Sequence, residues 1–343
     1  MIIAINPNLF NSVDNVIQKN VSKIIECFFE DYFIWDKDNI DDIFIGDFSI
    51  EDTICYKNFL SKFEQNLFIT RVEEIFQLSA YQTPLHNKYL TKISIGLEDN
   101  EINPERALEI ITKESKIILE NGNNDWKFIL GMVEKYHTHK NRKSIYALIR
   151  KAIDNNRLTA ENAGGIGGII PRIDAFIAGQ YKDIINYKVC IMFDSDRPNA
   201  NILSNAQQRI IRKVKGGIVV DVNNAVFKED DLLCWHMLYK RSIENYLPIS
   251  VLGSNLPMPA SILDALTDLS PNDLDFFYYD EGEYTGYGID LKNQFPDLFQ
   301  LHWTRDLIED RCRHHKANIE LPNQTIEEVC EIEELLLKIA KII

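Results

Sequence analysis

Between about residue 115 and residue 250, apolar runs of strand length alternate with segments whose apolar residues recur at helix spacing. The strand-like runs are KIILE, LTAENAGGIGGI, YKVCIMFDSD and GGIVVDV. The helix-period segments are DWKFILGMVEKY, RKSIYALIRKAI, PRIDAFIAGQY and ILSNAQQRIIRKVK. This alternation predicts an α/β fold with a doubly wound, mainly parallel sheet, whose ligand site lies at the carboxyl ends of the strands.

The flanking regions follow other patterns. Residues 1–112 mix helical stretches, Val13 to Phe29 and Tyr56 to Leu67, with the short apolar runs FITRVEEIF and TKISIGL. In NPERALEIITKES, Asn103 precedes Pro104 in the manner of a helix N-cap. We therefore expect an α+β N-terminal region, a central domain at 113–250 and a mainly helical C-terminal region at 251–343.

The C-terminal region contains an acidic, aromatic segment and an amphipathic one. SPNDLDFFYYDEGEYTGYGIDL is typical of a loop or insertion. TIEEVCEIEELLLKIAKII predicts a C-terminal helix whose Leu and Ile stripe packs either on the core or on a partner.

Composition narrows the protein class. The chain has 343 residues, of which 45% are hydrophobic, so each domain can bury its own core. Its six cysteines show no CxxC spacing, which argues against a zinc ribbon and a disulfide framework. No export signal and no run of about 18 apolar residues is visible, so we expect a cytoplasmic protein without membrane contact.

The net charge of −15 is unfavourable for a nucleic-acid partner, although net charge averages over local patches. Most basic clusters of this kind are solvated helix faces. The clusters are Lys140, Arg142 and Lys143; Arg150 and Lys151; Arg209, Arg212, Lys213 and Lys215; and Arg311, Arg313 and Lys316. Charge alone therefore does not decide the function.

Carboxylates follow the predicted strands. Glu120 ends KIILE, and Asp194 and Asp196 end the run in YKVCIMFDSD. An extended DSD segment places Asp194 and Asp196 on one side and Ser195 on the other. Glu244, in KRSIENYLP, is a fourth acid. Converging carboxylates repel one another unless a divalent cation compensates them, and oxygen ligands favour Mg²⁺ or Mn²⁺ over zinc.

Two other motifs are weaker signals. AGGIGG lacks the full dinucleotide fingerprint and is either a turn that lets the backbone approach a phosphate or only a turn. The histidines of HTH and RCRHHK lack a nearby cysteine pair, which argues against zinc, and RCRHHK is alternatively a basic edge that contacts phosphate.

The order of these motifs resembles the Toprim domain of topoisomerases, primases and certain nucleases. The resemblance rests on three motifs in order: Glu120 followed by Gly and Asp, a Gly-containing strand, and DSD. KRSIENYLP is similar to the overcoming-lysogenisation-defect (OLD) class of Toprim nucleases and their stand-alone relatives in bacterial antiphage systems. The resemblance covers residues 115–250 approximately.

The resemblance implies a role for each acid. Glu120 is a metal ligand or acid–base group, Asp194 and Asp196 are metal ligands, and Glu244 serves a second metal position. Two Mg²⁺ or Mn²⁺ ions about 4 Å apart would hold a scissile phosphate and activate water. The expected reaction is phosphodiester hydrolysis.

Other site residues match the family less closely. Its EGxxD motif puts the second acid where this chain has Asn124, whereas Asp125 lies one residue further on. Asp125 is therefore either catalytic, through an inserted loop residue, or only a helix cap. The family also places a lysine after the fourth strand, and Lys240, Arg241 or Lys292 is the counterpart here.

The resemblance implies a DNA or RNA endonuclease, including transfer RNA among its substrates, that acts as a toxic effector of antiviral defence. Similar systems pair the nuclease with a separate ABC-type ATPase, and residues 1–112 are our expected docking surface. A homodimer is also left open. The alternatives are a non-catalytic metal-binding interaction module that partners an ATPase and a primase-like nucleotidyl transferase.

Overall fold

The computed structural model describes residues 1–44, 48–79, 89–138, 142–217, 221–222, 224–279, 289, 291–320 and 326–343. The chain divides into two compact units, Met1–Glu114 and Ser115–Ile343. The first boundary lies two residues from the expected one. Residues 251–343 belong to the second unit and do not form a unit of their own.

The first unit contains a parallel sheet of order β2-β1-β3. Its strands are β1 (Ile2–Ile5), β2 (Ile34–Trp35) and β3 (Lys92–Ile95), and its helices are α1 (Asn15–Phe29), α2 (Lys37–Phe44), α3 (Ile54–Phe59), α4 (Lys62–Ser79) and α5 (Pro104–Thr112). The side chain of Asn103 caps α5 by accepting a hydrogen bond from the Arg106 amide at 2.9 Å, as predicted. FITRVEEIF lies within α4 and TKISIGL contains β3.

The second unit contains a parallel sheet of order β5-β4-β6-β7. Its strands are β4 (Ser115–Leu119), β5 (Leu158–Asn162), β6 (Val189–Phe193) and β7 (Cys234–Met237). Three of the predicted strand runs are confirmed. The fourth, GGIVVDV, falls partly on residues 218–220, outside the described residues, and the fourth described strand is CWHM instead.

Helices separate the consecutive strands of this sheet along the chain, as expected for an α/β fold. The helices of the second unit are α6 (Asn124–Tyr136), α7 (Lys143–Asp154), α8 (Ile169–Ala178), α9 (Ile185–Lys188), α10 (Asn205–Val214), α11 (Ile249–Asn255), α12 (Ala260–Asp268), α13 (Pro271–Asp275), α14 (Leu291–Leu298), α15 (Arg305–Arg311) and α16 (Glu331–Lys341). An antiparallel hairpin of β8 (Lys316–Glu320) and β9 (Ile326–Cys330) precedes α16. Among the described residues, no helix combines the length and apolar character needed to span a bilayer.

The C-terminal segment differs from its prediction at its start. IEEVC forms β9, because it pairs with β8, and the helix begins only at Glu331. The apolar stripe of α16 is fully buried at Ile332, Leu335, Leu336 and Ile339. The Leu and Ile stripe of α16 therefore packs in the core, which is one of its two expected roles.

Candidate active site at the carboxyl edge of the second sheet

A cavity of about 760 Å³ lies at the carboxyl ends of the second sheet. Its lining includes the acids Glu120, Asp125, Asp194, Asp196 and Glu244. From β4 the chain goes first to β5 on one side and then to β6 on the other, which makes the β4–β6 gap a topological switch point. Parallel α/β sheets bind their ligands at this position, because the crossover helices leave a crevice there.

The loop after β4 brings Glu120 and Asp125 to the cavity. Glu120 Oε1 accepts a hydrogen bond from the Asp194 amide at 3.1 Å, which ties the ends of β4 and β6 together. Asp125 is the second residue of α6, and its Oδ2 accepts from the Asn121 amide at 2.9 Å. Asp125 is thus directed back toward the loop, is only 6% exposed, and shares the cavity with Glu120.

The DSD segment turns sharply after β6. Ser195 is fully buried, and its hydroxyl donates to the Lys240 carbonyl at 2.6 Å. Asp196 has a left-handed backbone with φ +49°. The prediction that the DSD segment is extended is therefore wrong at Asp196. The Asp196 amide donates to the Arg241 carbonyl at 2.9 Å, which holds this conformation.

Gln207, which sequence reasoning missed, supports both aspartates from α10. Its Nε2 donates to Asp196 Oδ2 at 2.8 Å and to the Asp194 carbonyl at 3.3 Å. Gln207 is fully buried on the helix face that also contains Ile210, Ile211 and Val214. The sequence signal that could have identified Gln207 is a single amide side chain on an otherwise apolar helix face.

Glu244 reaches the cavity from the short 3₁₀ turn Ile243–Tyr246. The buried Asn245 fixes this turn, since its Nδ2 donates to the carbonyls of Leu274 at 3.0 Å and Phe277 at 2.9 Å. Its Oδ1 accepts from the Ser242 amide at 3.1 Å. The ENYL motif therefore combines a residue that anchors the turn with a residue that faces the cavity.

A fully buried carboxylate of α16, that of Glu331, holds the same turn through hydrogen bonds. Glu331 Oε1 accepts a hydrogen bond from the Tyr246 hydroxyl and another from the Tyr239 amide at 2.7 Å. The His236 Nε2 lies 3.3 Å from the same oxygen. The last helix of the chain thus contributes to the geometry of the acid-lined cavity.

The acids perturb one another. Burial raises the pKa of Glu120 to about 8, with Asp196 and Asp125 adding repulsion. Burial also raises the pKa of Asp125 to about 7. The hydrogen bond from the Asn121 amide lowers this pKa, and repulsion from Glu244 raises it. Burial and neighbouring acids raise the pKa of Asp194 well above its usual range and that of Glu244 above its ordinary value. Burial and the neighbouring acids are the causes that raise these four pKa values, and among the described residues these acids form no ion pair.

The donor chemistry of the cluster fits Mg²⁺ or Mn²⁺, which prefer carboxylate oxygens. Glu120, Asp194, Asp196 and Glu244 would hold such a cation. Their oxygens do not form a ready-made site, because no group of three or more His, Cys, Asp or Glu side chains in the described ranges is arranged to hold a metal ion.

Of the expected basic residues, Arg241 lines the cavity and Lys240 does not. Lys240 is fully buried and pairs with Asp275, which also binds Arg311 at 3.1 Å and His315 at 2.7 Å. Of the two candidates for the family's lysine whose side chains are described, Arg241 is therefore the one at the cavity, and Lys240 is enclosed in the interior. The side chain of Lys292 is not among those described.

The RCRHHK segment is structural only in part, because Arg313, His314 and Lys316 are exposed. Arg311 donates to the Asn245 carbonyl and to Asp275, so it supports the ENYL turn instead of offering a free basic edge. Cys312 is fully buried, and His315 is bonded to Asp275. In the HTH motif, His139 lies outside the described residues.

The AGGIGG motif forms a tight turn beside the acids. Gly164 and Gly165 line the cavity with φ values of +73° and +106°, conformations that favour glycine. The Gly165 amide donates to the Glu120 carbonyl at 2.8 Å. Asn162, also missed from the sequence, accepts from the Gly164 amide at 3.0 Å and the Gly122 amide at 3.1 Å, joining the two loops.

The sequence matches no protein-family model and no curated protein, and the structure matches no solved structure.

Proposed function

We propose that the protein is a divalent-metal-dependent phosphodiesterase that cleaves nucleic acid. The observation that carries this proposal is the cluster of Glu120, Asp125, Asp194, Asp196 and Glu244 at a topological switch point, where the described residues supply no compensating ion pair. An isolated buried carboxylate is costly, and a cluster is costlier still. A site that retains such a cluster is suited to a divalent cation.

The side chains have distinct tasks in this proposal. Glu120, Asp194, Asp196 and Glu244 hold the cation, while Gln207 and the Arg241 carbonyl keep Asp196 in place. When bound, the cation supplies Lewis acidity and a water of lowered pKa. Arg241 is the cavity cation that can balance the additional negative charge of a phosphodiester transition state.

The finer identity rests on the motif resemblance. The Glu120 loop, the DSD segment and the ENYL turn occur in the order of a Toprim nuclease of the OLD class, and we propose that class for this chain. Its proposed role is a cytoplasmic antiphage effector acting on DNA or RNA. A separate ATPase that docks on residues 1–112, and a homodimer, remain parts of this proposal.

A non-catalytic interaction module is the second candidate. It is favoured by the absence, among the described residues, of a ready-made metal-binding group. In that role the acids would bind a basic surface of a partner such as an ATPase. Metal-dependent cleavage separates the two candidates.

The test incubates the purified protein with supercoiled plasmid and, separately, total transfer RNA, in Mg²⁺, Mn²⁺ or chelator. Glu120→Ala and Asp194→Ala should lose cleavage. Asp264→Ala, an exposed acid on α12, is the matched control and should cleave as the wild type does. Cleavage that survives in Glu120→Ala and Asp194→Ala would refute this site, and a protein that binds Mn²⁺ but cleaves neither polymer would support the interaction module.

A further inference from the structure

Two adjacent tyrosines at the cavity differ in their surroundings. Tyr279 is 9% exposed and packs edge-on against Phe277 and Phe295, with ring centroids 4.9 and 5.3 Å away. Tyr278 is 62% exposed, although it lines the same cavity. Tyr279 therefore anchors the segment, and Tyr278 presents its ring to solvent beside the acids.

Arg241 stacks on the exposed ring. Its guanidinium carbon lies 4.2 Å from the ring centroid of Tyr278. The Arg241 backbone is fixed at both ends, since its amide donates to the Asp275 carbonyl at 3.0 Å and its carbonyl accepts from the Asp196 amide at 2.9 Å. The position of the Arg241–Tyr278 pair is thus set by the same loop that positions Asp196.

Arg241 does not neutralise the acids. Within the described part of the chain, its guanidinium forms no ion pair with Glu120, Asp194 or any other carboxylate. A cation that lies in an acidic cavity and stacks on an aromatic ring instead is available to a ligand that brings its own negative charge. A planar ring beside such a cation can also stack a second planar group.

We propose that Arg241 and Tyr278 form a nucleotide subsite in which the ring stacks an unpaired base and the guanidinium contacts the adjoining phosphate. This inference rests on the proposed function, which supplies the nucleic acid. A base must leave its duplex to stack on a protein ring, so the site selects single-stranded or locally unpaired substrate. The substrate class of the acid cluster is then single-stranded or locally unpaired nucleic acid.

The test measures binding of a fluorescent single-stranded 20-mer and of the same sequence as a duplex, by anisotropy in Ca²⁺ with the full chain. DNA and RNA versions of both are compared. Base stacking on an aromatic ring predicts that Tyr278→Ala weakens single-strand binding about ten-fold or more and leaves duplex binding nearly unchanged. Tyr278→Phe keeps the ring and should bind as the wild type does.

Two controls separate stacking from other effects. Phe63→Ala removes an aromatic ring that is 74% exposed on the first unit, and it should leave single-strand binding unchanged. Arg241→Gln should weaken binding of both substrates and reduce the salt dependence of binding, because it removes a phosphate contact. Circular dichroism checks that each variant is folded.

Cleavage assays in Mg²⁺ distinguish failure of the subsite from failure of the proposed function. If single strands are cleaved and Tyr278→Ala raises KM with kcat unchanged, the subsite is supported. If Tyr278→Ala binds and cleaves single strands as the wild type does, the subsite is overturned while the nuclease stands. If nothing is cleaved but single-strand binding depends on Tyr278, the subsite stands and the catalytic proposal fails.

Discussion

Replacing Glu120 by Gln should stabilise the metal-free protein at alkaline pH. In the folded chain the pKa of Glu120 rises from its ordinary value of 4.5 to about 8, chiefly through burial. The folded state therefore holds a proton that the unfolded state has released between about pH 4.5 and pH 8. Because the unfolded state binds fewer protons in this window, stability falls as pH rises.

The size of the effect follows from the shift. At about 1.4 kcal/mol for each pH unit, the loss reaches roughly 4 kcal/mol at pH 8 if Glu120 acts alone. Because the neighbouring acids titrate together with Glu120, part of this loss belongs to them, and we expect about 2 kcal/mol for Glu120 itself. Gln mimics the protonated acid and should recover this stability, which corresponds to roughly 4–8 °C in Tm for a unit of this size.

The assay is thermal unfolding followed by circular dichroism, in chelator, at pH 5 and pH 8. Glu120→Gln should raise Tm at pH 8 and leave it nearly unchanged at pH 5, whereas the exposed control Asp264→Asn should show no such pH dependence. Added Mn²⁺ should stabilise the wild type more than Glu120→Gln, because the variant has lost a ligand. A Tm change of the same size at both pH values would refute the electrostatic reasoning.

Three further substitutions test neighbouring features. Gln207→Leu removes the amide that holds Asp196 and should weaken Mn²⁺ binding about ten-fold by calorimetry; unchanged affinity would contradict the assigned role. Asp275→Ala leaves the buried Lys240 unpaired and should cost about 3–5 kcal/mol in urea unfolding, and a cost below about 1 kcal/mol would be inconsistent with this reasoning. Gly165→Ala should cost about 1–3 kcal/mol because of its φ of +106°, whereas Gly167→Ala, with open space around its Cβ position, should cost much less.

The sequence predicted the sheet of the second unit largely through its apolar runs. KIILE and VCIMF are continuous apolar stretches, as strands buried on both faces should be. CWHM was missed because its His and short length resemble no strand pattern, and its burial beside β6 depends on distant parts of the chain. β9 was predicted as helix because only its pairing with β8 makes it a strand.

The site was predictable to the extent that strand direction determines it. Glu120 and Asp194 follow parallel neighbours, so their meeting required only the sheet topology. The choice between Lys240 and Arg241 was not predictable, because these adjacent residues lie on an irregular segment. Their surroundings depend on Asp275, which is distant in sequence and draws Lys240 into the interior.

The contact between Glu331 and the ENYL turn determines when, during synthesis of the chain, the site can form. Tyr246 and Tyr239 are bonded to a side chain in the last helix of the chain, Glu331–Lys341. A ribosome must therefore translate the chain past Glu331 before the turn that presents Glu244 has this contact. A chain that stops before Glu331 should therefore lack this anchor, and under the proposed function it should not cleave nucleic acid.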